Sequence, residues 1–167
     1  MRRSLLGTAV AVLALAVPAS TAARNLPRHG VLVPGRSLGG VRLGETPRAV
    51  RAALGSFYGV CRGCRSRTWF FTVRPFDEHG IAVEFARGRV SGLYTLWRPA
   101  GWHDTHGLAL GAPAEAVQSR KPPLLTIACP GYTALVVDAR QARTAYYLFD
   151  GRLWGFGLFG RRADPCR

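Results

Sequence analysis

Apolar and polar positions along this chain change period several times, and each change marks an element. In residues 80–86, Ile81, Val83 and Phe85 alternate with Ala82 and Glu84, which predicts a strand with one buried and one wet face. Runs at 67–74 and 89–97 predict partner strands, with Arg87-Gly88 as the tight turn into the later one. There the alternation breaks, because Val90 and Leu93 lie three apart with Gly92 between them. A bulge near Ser91-Gly92 would return both to the core side. The second half predicts strands at 124–129, 132–138, 143–149 and 152–159, with Asp150-Gly151 as a hairpin turn. Leu153 and Phe156 straddle Gly155 there, as Val90 and Leu93 straddle Gly92.

Two helices precede these strand groups. Thr46 suits an N-cap, Pro47 sits where its missing N–H costs nothing, and Gly55 suits the C-terminal stop. Ala49, Val50, Ala53 and Leu54 form one narrow apolar face between them. A second helix starts at Pro113 and ends before Pro122-Pro123. Helices this short are marginal alone and need a sheet to lie on. At an offset of 67, Gly40/Gly107, Leu43/Leu110, Gly44/Gly111, Ala49/Ala116 and Val50/Val117 are identical. At an offset of 63, Gly88/Gly151, Arg89/Arg152 and Gly92/Gly155 match. The expected fold class is therefore α+β: two tandem helix-plus-antiparallel-sheet repeats, at 37–97 and 107–167, joined by a connection at 98–106. The short helices are expected on one face of the sheet.

That order of Leu-Gly, Thr/Ala-Pro, an Ala-Val helix, the aromatic strand Trp69-Phe70-Phe71 and a strand–Gly–Arg–strand hairpin resembles the SmpA/OmlA/BamE-like unit. Its tandem duplication resembles the β-lactamase inhibitory protein fold. The resemblance implies a helical layer on an antiparallel sheet, two halves joined edge to edge, and an open sheet face that binds another protein. The chain lacks the lipid-anchor cysteine of the outer-membrane members, and no inhibitor contact residue matches position by position.

The first residues carry a different signal. Arg2-Arg3, an apolar run at 5–17 and the small residues Ser20, Thr21, Ala22 and Ala23 have the layout of a secretory signal peptide over 1–23. The run is too short to span a bilayer comfortably, so no stable membrane span is expected. Residues 24–36 hold prolines, glycine and basic residues without period and read as a linker. The expected product is secreted or held in the cell envelope. Removing Arg2 and Arg3 leaves 21 basic residues against 9 acidic ones, a net charge of +12. Such a charge draws a protein toward anionic polymers, although 22 of the 23 basic residues are arginines scattered without a block, as GC-rich coding also gives.

Four cysteines, Cys61, Cys64, Cys129 and Cys166, predict two disulfides in an exported chain, with three possible connectivities. The favoured pairs are Cys61–Cys64 and Cys129–Cys166. The latter would tie down a tail, 161–167, that has no apolar pattern of its own. Cys61-Arg62-Gly63-Cys64 is also a CxxC motif, but it follows a helix instead of opening one, the wrong place to stabilise a thiolate. Trp102-His103-Asp104-Thr105-His106 sets two imidazoles beside a carboxylate, yet it falls in the connection and reads as a polar linker. Asp77, Glu78 and Glu84 form no evident catalytic pair, and no GxSxG or phosphate-binding glycine pattern occurs. No catalytic residue, metal site or cofactor is expected.

The aromatic residues carry more weight. In Ala145-Tyr146-Tyr147-Leu148-Phe149 both faces of a strand bear rings, so some must point away from the helices. Candidate binding residues are Trp69, Phe71, Tyr94, Trp97, Tyr132, Tyr146, Tyr147 and Trp154. Rings with polar handles interleaved with arginine suit protein interfaces. The expectation is a non-catalytic module binding another envelope or extracellular protein. The alternatives are a binder of anionic envelope polymer or nucleic acid, and a CxxC thiol–disulfide protein.

Overall fold

The computed structural model describes residues 30–72, 78–120 and 124–167. The expected signal peptide, the first part of the expected linker, Asp77 and the Lys121-Pro122-Pro123 stretch lie outside the described residues. The alternating runs form strands Arg67–Thr72, Gly80–Ala86 and Arg89–Leu96 in the first half, and Leu125–Cys129, Tyr132–Asp138, Ala142–Phe149 and Arg152–Gly160 in the second. Numbered along the chain, these are β5, β6, β7 and then β9 to β12. Ahead of the first group lie Val31–Val33 (β1), Ser37–Leu38 (β2), Val41–Arg42 (β3), the helix Pro47–Leu54 (α1) and Gly59–Val60 (β4). Between the groups lie His103–Asp104 (β8) and the helix Ala114–Arg120 (α2).

Eight strands form one sheet in the order β4-β5-β6-β7-β12-β11-β10-β9. Its two blocks meet in a short antiparallel seam that pairs Tyr94 with Gly157, Leu93 with Leu158 and Gly92 with Phe159. Gly92 is required there, since a Cβ would come within 2.9 Å of both the Phe159 ring and the Glu84 carboxylate. Two bulges interrupt the ladders. Glu84 faces Gly92 and Phe85 faces Val90, which leaves Ser91 as the extra residue. Tyr147 faces Gly155 and Leu148 faces Leu153, which leaves Trp154 as the extra residue.

The fold class departs from the expected α+β repeats. The described residues are mostly β, 48% strand against 12% helix, with two sheets of four and eight strands and only two short helices among them. The physical reason lies in what covers the large sheet. Helix α1 forms as its capping residues dictate, with Thr46 Oγ1 accepting from the Ala49 N–H and Gly55 at a φ of 95°, but it buries only Val50 and Leu54. Helix α2 buries only Val117. The remaining cover is a second sheet, β3-β2-β1-β8, whose Leu32, Leu38 and Val41 join the same core as Trp69, Phe71, Ile81, Tyr146 and Phe156. Strands of two or three residues show no readable period, so residues 31–33 looked like linker and 98–106 like a loop.

That small sheet is anchored at Asp104. Strand β8 runs parallel to β1, setting His103 beside Val31 and Asp104 beside Leu32. Asp104 is fully buried, and its Oδ1 accepts from the His106 and Leu108 backbone N–H groups at 2.8 and 3.0 Å. The Tyr146 hydroxyl donates to Oδ2 at 3.3 Å. Trp102, also fully buried, packs so closely on the backbone that a Cβ at Gly30 would lie 2.4 Å from its ring.

Candidate functional site

The large sheet has a second face, away from the helices and the small sheet. Ala134, Val136, Ala145, Tyr147 and Phe159 form a separate buried cluster there, with Tyr94, Tyr132 and Trp154 packed against it. The eight candidate aromatic residues therefore divide between the two faces. Trp69, Phe71 and Tyr146 are fully buried in the main core, and Trp69 stacks on Tyr58 at 4.0 Å and meets Phe85 edge-on at 4.7 Å. Those three are core residues; no partner reaches them without unfolding. Tyr94, Trp97, Tyr132, Tyr147 and Trp154 come together on or beside the second face.

Two local departures from regular strand place its tryptophans. Trp154 is the bulged residue of β12, and a bulge re-aims the side chain it carries. Trp97 follows the end of β7 with a φ of 46°, and Arg98 continues at 40°, two successive residues in a region that bulky side chains seldom occupy. The Trp97 ring is left 57% exposed and meets Trp154 edge-on at 6.3 Å. Tyr132 lies 6.2 Å from Trp154 and stands edge-on to Tyr147 at 5.4 Å. Sequence reasoning missed Phe149, 56% exposed, and Pro130, which with Trp97, Tyr132 and Trp154 line a cavity of about 330 Å³. The signals were present: Pro130-Gly131 and Asp150-Gly151 are the turns at one end of β10 and β11.

The tail covers the other part of this face. Cys129 and Cys166 are bonded, as are Cys61 and Cys64, with Cα separations of 5.5 and 5.8 Å, so the favoured connectivity is the observed one and no described cysteine is free. Beyond the disulfide, the Arg167 guanidinium grips the Glu84 carboxylate with both arms, at 2.8 and 3.0 Å, and lies 4.3 Å from the Phe159 ring centre. Tyr147 donates to the Pro165 carbonyl at 2.7 Å. Glu84 is thus an ion-pair partner of the tail.

Burial raises the phenols of this region. The Tyr94 phenol is pushed up to about 12, first by burial and then by the Glu84 charge. Tyr147 rises well above 10 because it is buried, and Tyr146 rises because it is buried and beside Asp104. A phenol whose folded value is raised contributes stability that is intact below pH 10 and is lost as pH climbs toward the folded value. Tyr146 and Tyr147 should each remove about 1.4 kcal/mol per pH unit above pH 10. Urea unfolding at intervals between pH 9 and about 11 measures this, and flat stability over that range would contradict the burial of both.

The described residues hold no group of three or more His, Cys, Asp or Glu side chains placed to bind a metal ion. Nor do they include a helix long and apolar enough to cross a membrane. The sequence matches no family model and no curated protein. The fold is similar to that of an extracellular protein containing a SCP domain from Bacillus anthracis str. Ames, with a TM-score of 0.48 and 13% identity. The likeness covers 71% of this chain and 44% of that one, so this chain spans less than half of its neighbour's length. We take neither family nor function from a likeness of that size.

Proposed function

We propose that the protein is an exported, non-catalytic binding module that holds another protein on the second face of its large sheet. The observation that carries this reading is the pair Trp97 and Trp154, both turned out of regular strand geometry onto one aromatic surface. Exposed rings clustered beside apolar cavities are the usual anchors of protein interfaces. Two disulfides fit an oxidising compartment outside the cytoplasm.

Capture from envelope and secreted fractions tests the reading. Wild-type protein should retain a saturable partner, and Trp97→Ala/Trp154→Ala should weaken retention at least tenfold. Trp97→Ala alone should change unfolding free energy by less than about 1 kcal/mol, because the ring is mostly exposed. Absence of a saturable partner, or retention unchanged in the double variant, would sink the proposal. The net charge of +14 favours a second reading, capture of an anionic polymer through the arginines. That reading requires affinity to fall steeply with salt and to ignore the tryptophan substitutions.

A further inference from the structure

The protein's own tail already lies against this face and offers it a backbone carbonyl. Pro165 is buried against it, and its carbonyl accepts the Tyr147 hydroxyl hydrogen. The tail residues there are held by a disulfide, side-chain hydrogen bonds and one ion pair, without joining the strand ladder. Beside this contact the same chemistry continues. The cavity of about 330 Å³ between Trp97, Pro130, Tyr132, Phe149 and Trp154 adjoins a second of about 220 Å³ that reaches Tyr94 and Tyr147. Trp97, Tyr132 and Trp154 wall both, so the surface is two aromatic slots divided by a ridge of shared rings.

We propose that these slots bind an extended, proline-containing segment of the partner in polyproline II conformation, with acidic residues flanking the prolines. The inference rests on the protein-binding reading above and names the partner's chemistry. Strands β10 and β11 are paired on both sides, and where the short β7–β12 seam ends at Tyr94 and Gly157 the Thr95 Oγ1 already accepts the Phe156 N–H, so the floor of the slots offers no open ladder to an incoming strand. Recognition must then run through side chains. A polyproline II segment makes no hydrogen bonds of its own, repeats every three residues and presents free carbonyls. It can seat successive prolines in two slots while aromatic N–H and O–H groups donate to those carbonyls, as Tyr147 does to Pro165. An α-helix has consumed its carbonyls and needs one unbroken groove. No bond among the described residues uses the indole N–H of Trp97 or Trp154. Charge selects the flanks. The larger slot has no charged side chain in its wall, exposed Arg98 follows Trp97, and Glu84 is already neutralised by Arg167.

The test uses the full mature chain and three synthetic peptides, followed by tryptophan fluorescence and calorimetry. One carries six prolines between pairs of aspartates, one replaces the prolines with alanines, and one replaces the aspartates with lysines. The proline–aspartate peptide should bind saturably, at least tenfold tighter than the alanine version and tighter than the lysine version at low salt. Trp97→Ala and Trp154→Ala should each weaken it at least tenfold. Equal binding of the proline and alanine peptides, no binding at millimolar concentration, or indifference to both substitutions would overturn the inference. If a captured protein partner still depends on Trp97 and Trp154 while the peptides show no preference, only this inference falls. If no partner is captured and no peptide binds, both readings fall.

Discussion

Replacing Cys129 and Cys166 together by alanine should lower the unfolding free energy by about 4 kcal/mol. The disulfide closes a span of 37 residues, and chain entropy alone accounts for a loss of that size. The Cys61–Cys64 bond closes a span of only 3, so Cys61→Ala/Cys64→Ala should cost about half as much on the same argument. The longer bond also holds the tail on the second sheet face. Its loss should loosen the Arg167–Glu84 pair and expose Phe159 and Tyr147, now only 0% and 2% exposed. Guanidinium unfolding gives the free energies, and hydrogen exchange at 161–167 follows the tail. Equal costs for the two pairs, or unchanged exchange of the tail, would show that the bond does not act as a strap.

Asp104→Ala should cost about 3 kcal/mol, because it strands the buried Leu108 N–H and the part-buried His106 N–H and removes an acceptor of the Tyr146 hydroxyl. Asp104→Asn should recover more than half of that loss, since an amide oxygen can still accept from both N–H groups. His106 has a mostly exposed side chain 3.8 Å from the carboxylate, and His106→Ala should cost less than about 1 kcal/mol. Thermal and urea unfolding of the three variants give the order. If Asn behaved like Ala, the carboxylate would not be acting through the loop N–H groups. If His106→Ala matched Asp104→Ala, the imidazole would share the anchoring role. The motif that read as a polar linker is instead a structural anchor, with Asp104 fully buried and its partners drawn from β11 and from the loop after β8.

Local chemistry was legible where a signal repeats over several residues. The alternation of Ile81, Val83 and Phe85 gave β6 its limits, and the Thr46-Pro47 start with the Gly55 stop gave α1 its own. The broken alternation around Gly92 located a bulge, now at Ser91, and the matching break around Gly155 marked the one at Trp154. The faces were less legible. Alternation says which residues share a side of a strand, but not which side is covered. Trp69 and Tyr94 therefore looked equivalent, although one is fully buried in the main core and the other lies on the second face. Phe149 was passed over because a ring next to a turn gives no periodic signal.

The sequence by itself determined the long strands, the two short helices, the hairpin turns and that the four cysteines pair off, with the observed pairing the favoured one of three. Each follows from residues close together, or from a count of cysteines small enough to leave few choices. Tertiary structure alone decided that a four-stranded sheet, instead of a helical layer, supplies much of the cover. Its parallel pairing of β1 with β8 joins residues some 70 positions apart, and no local pattern encodes such a distance. It also decided that five of the eight candidate rings meet on one face while three vanish into the core. Which face is covered depends on what the rest of the chain lays across it, and that is settled only when the whole chain packs.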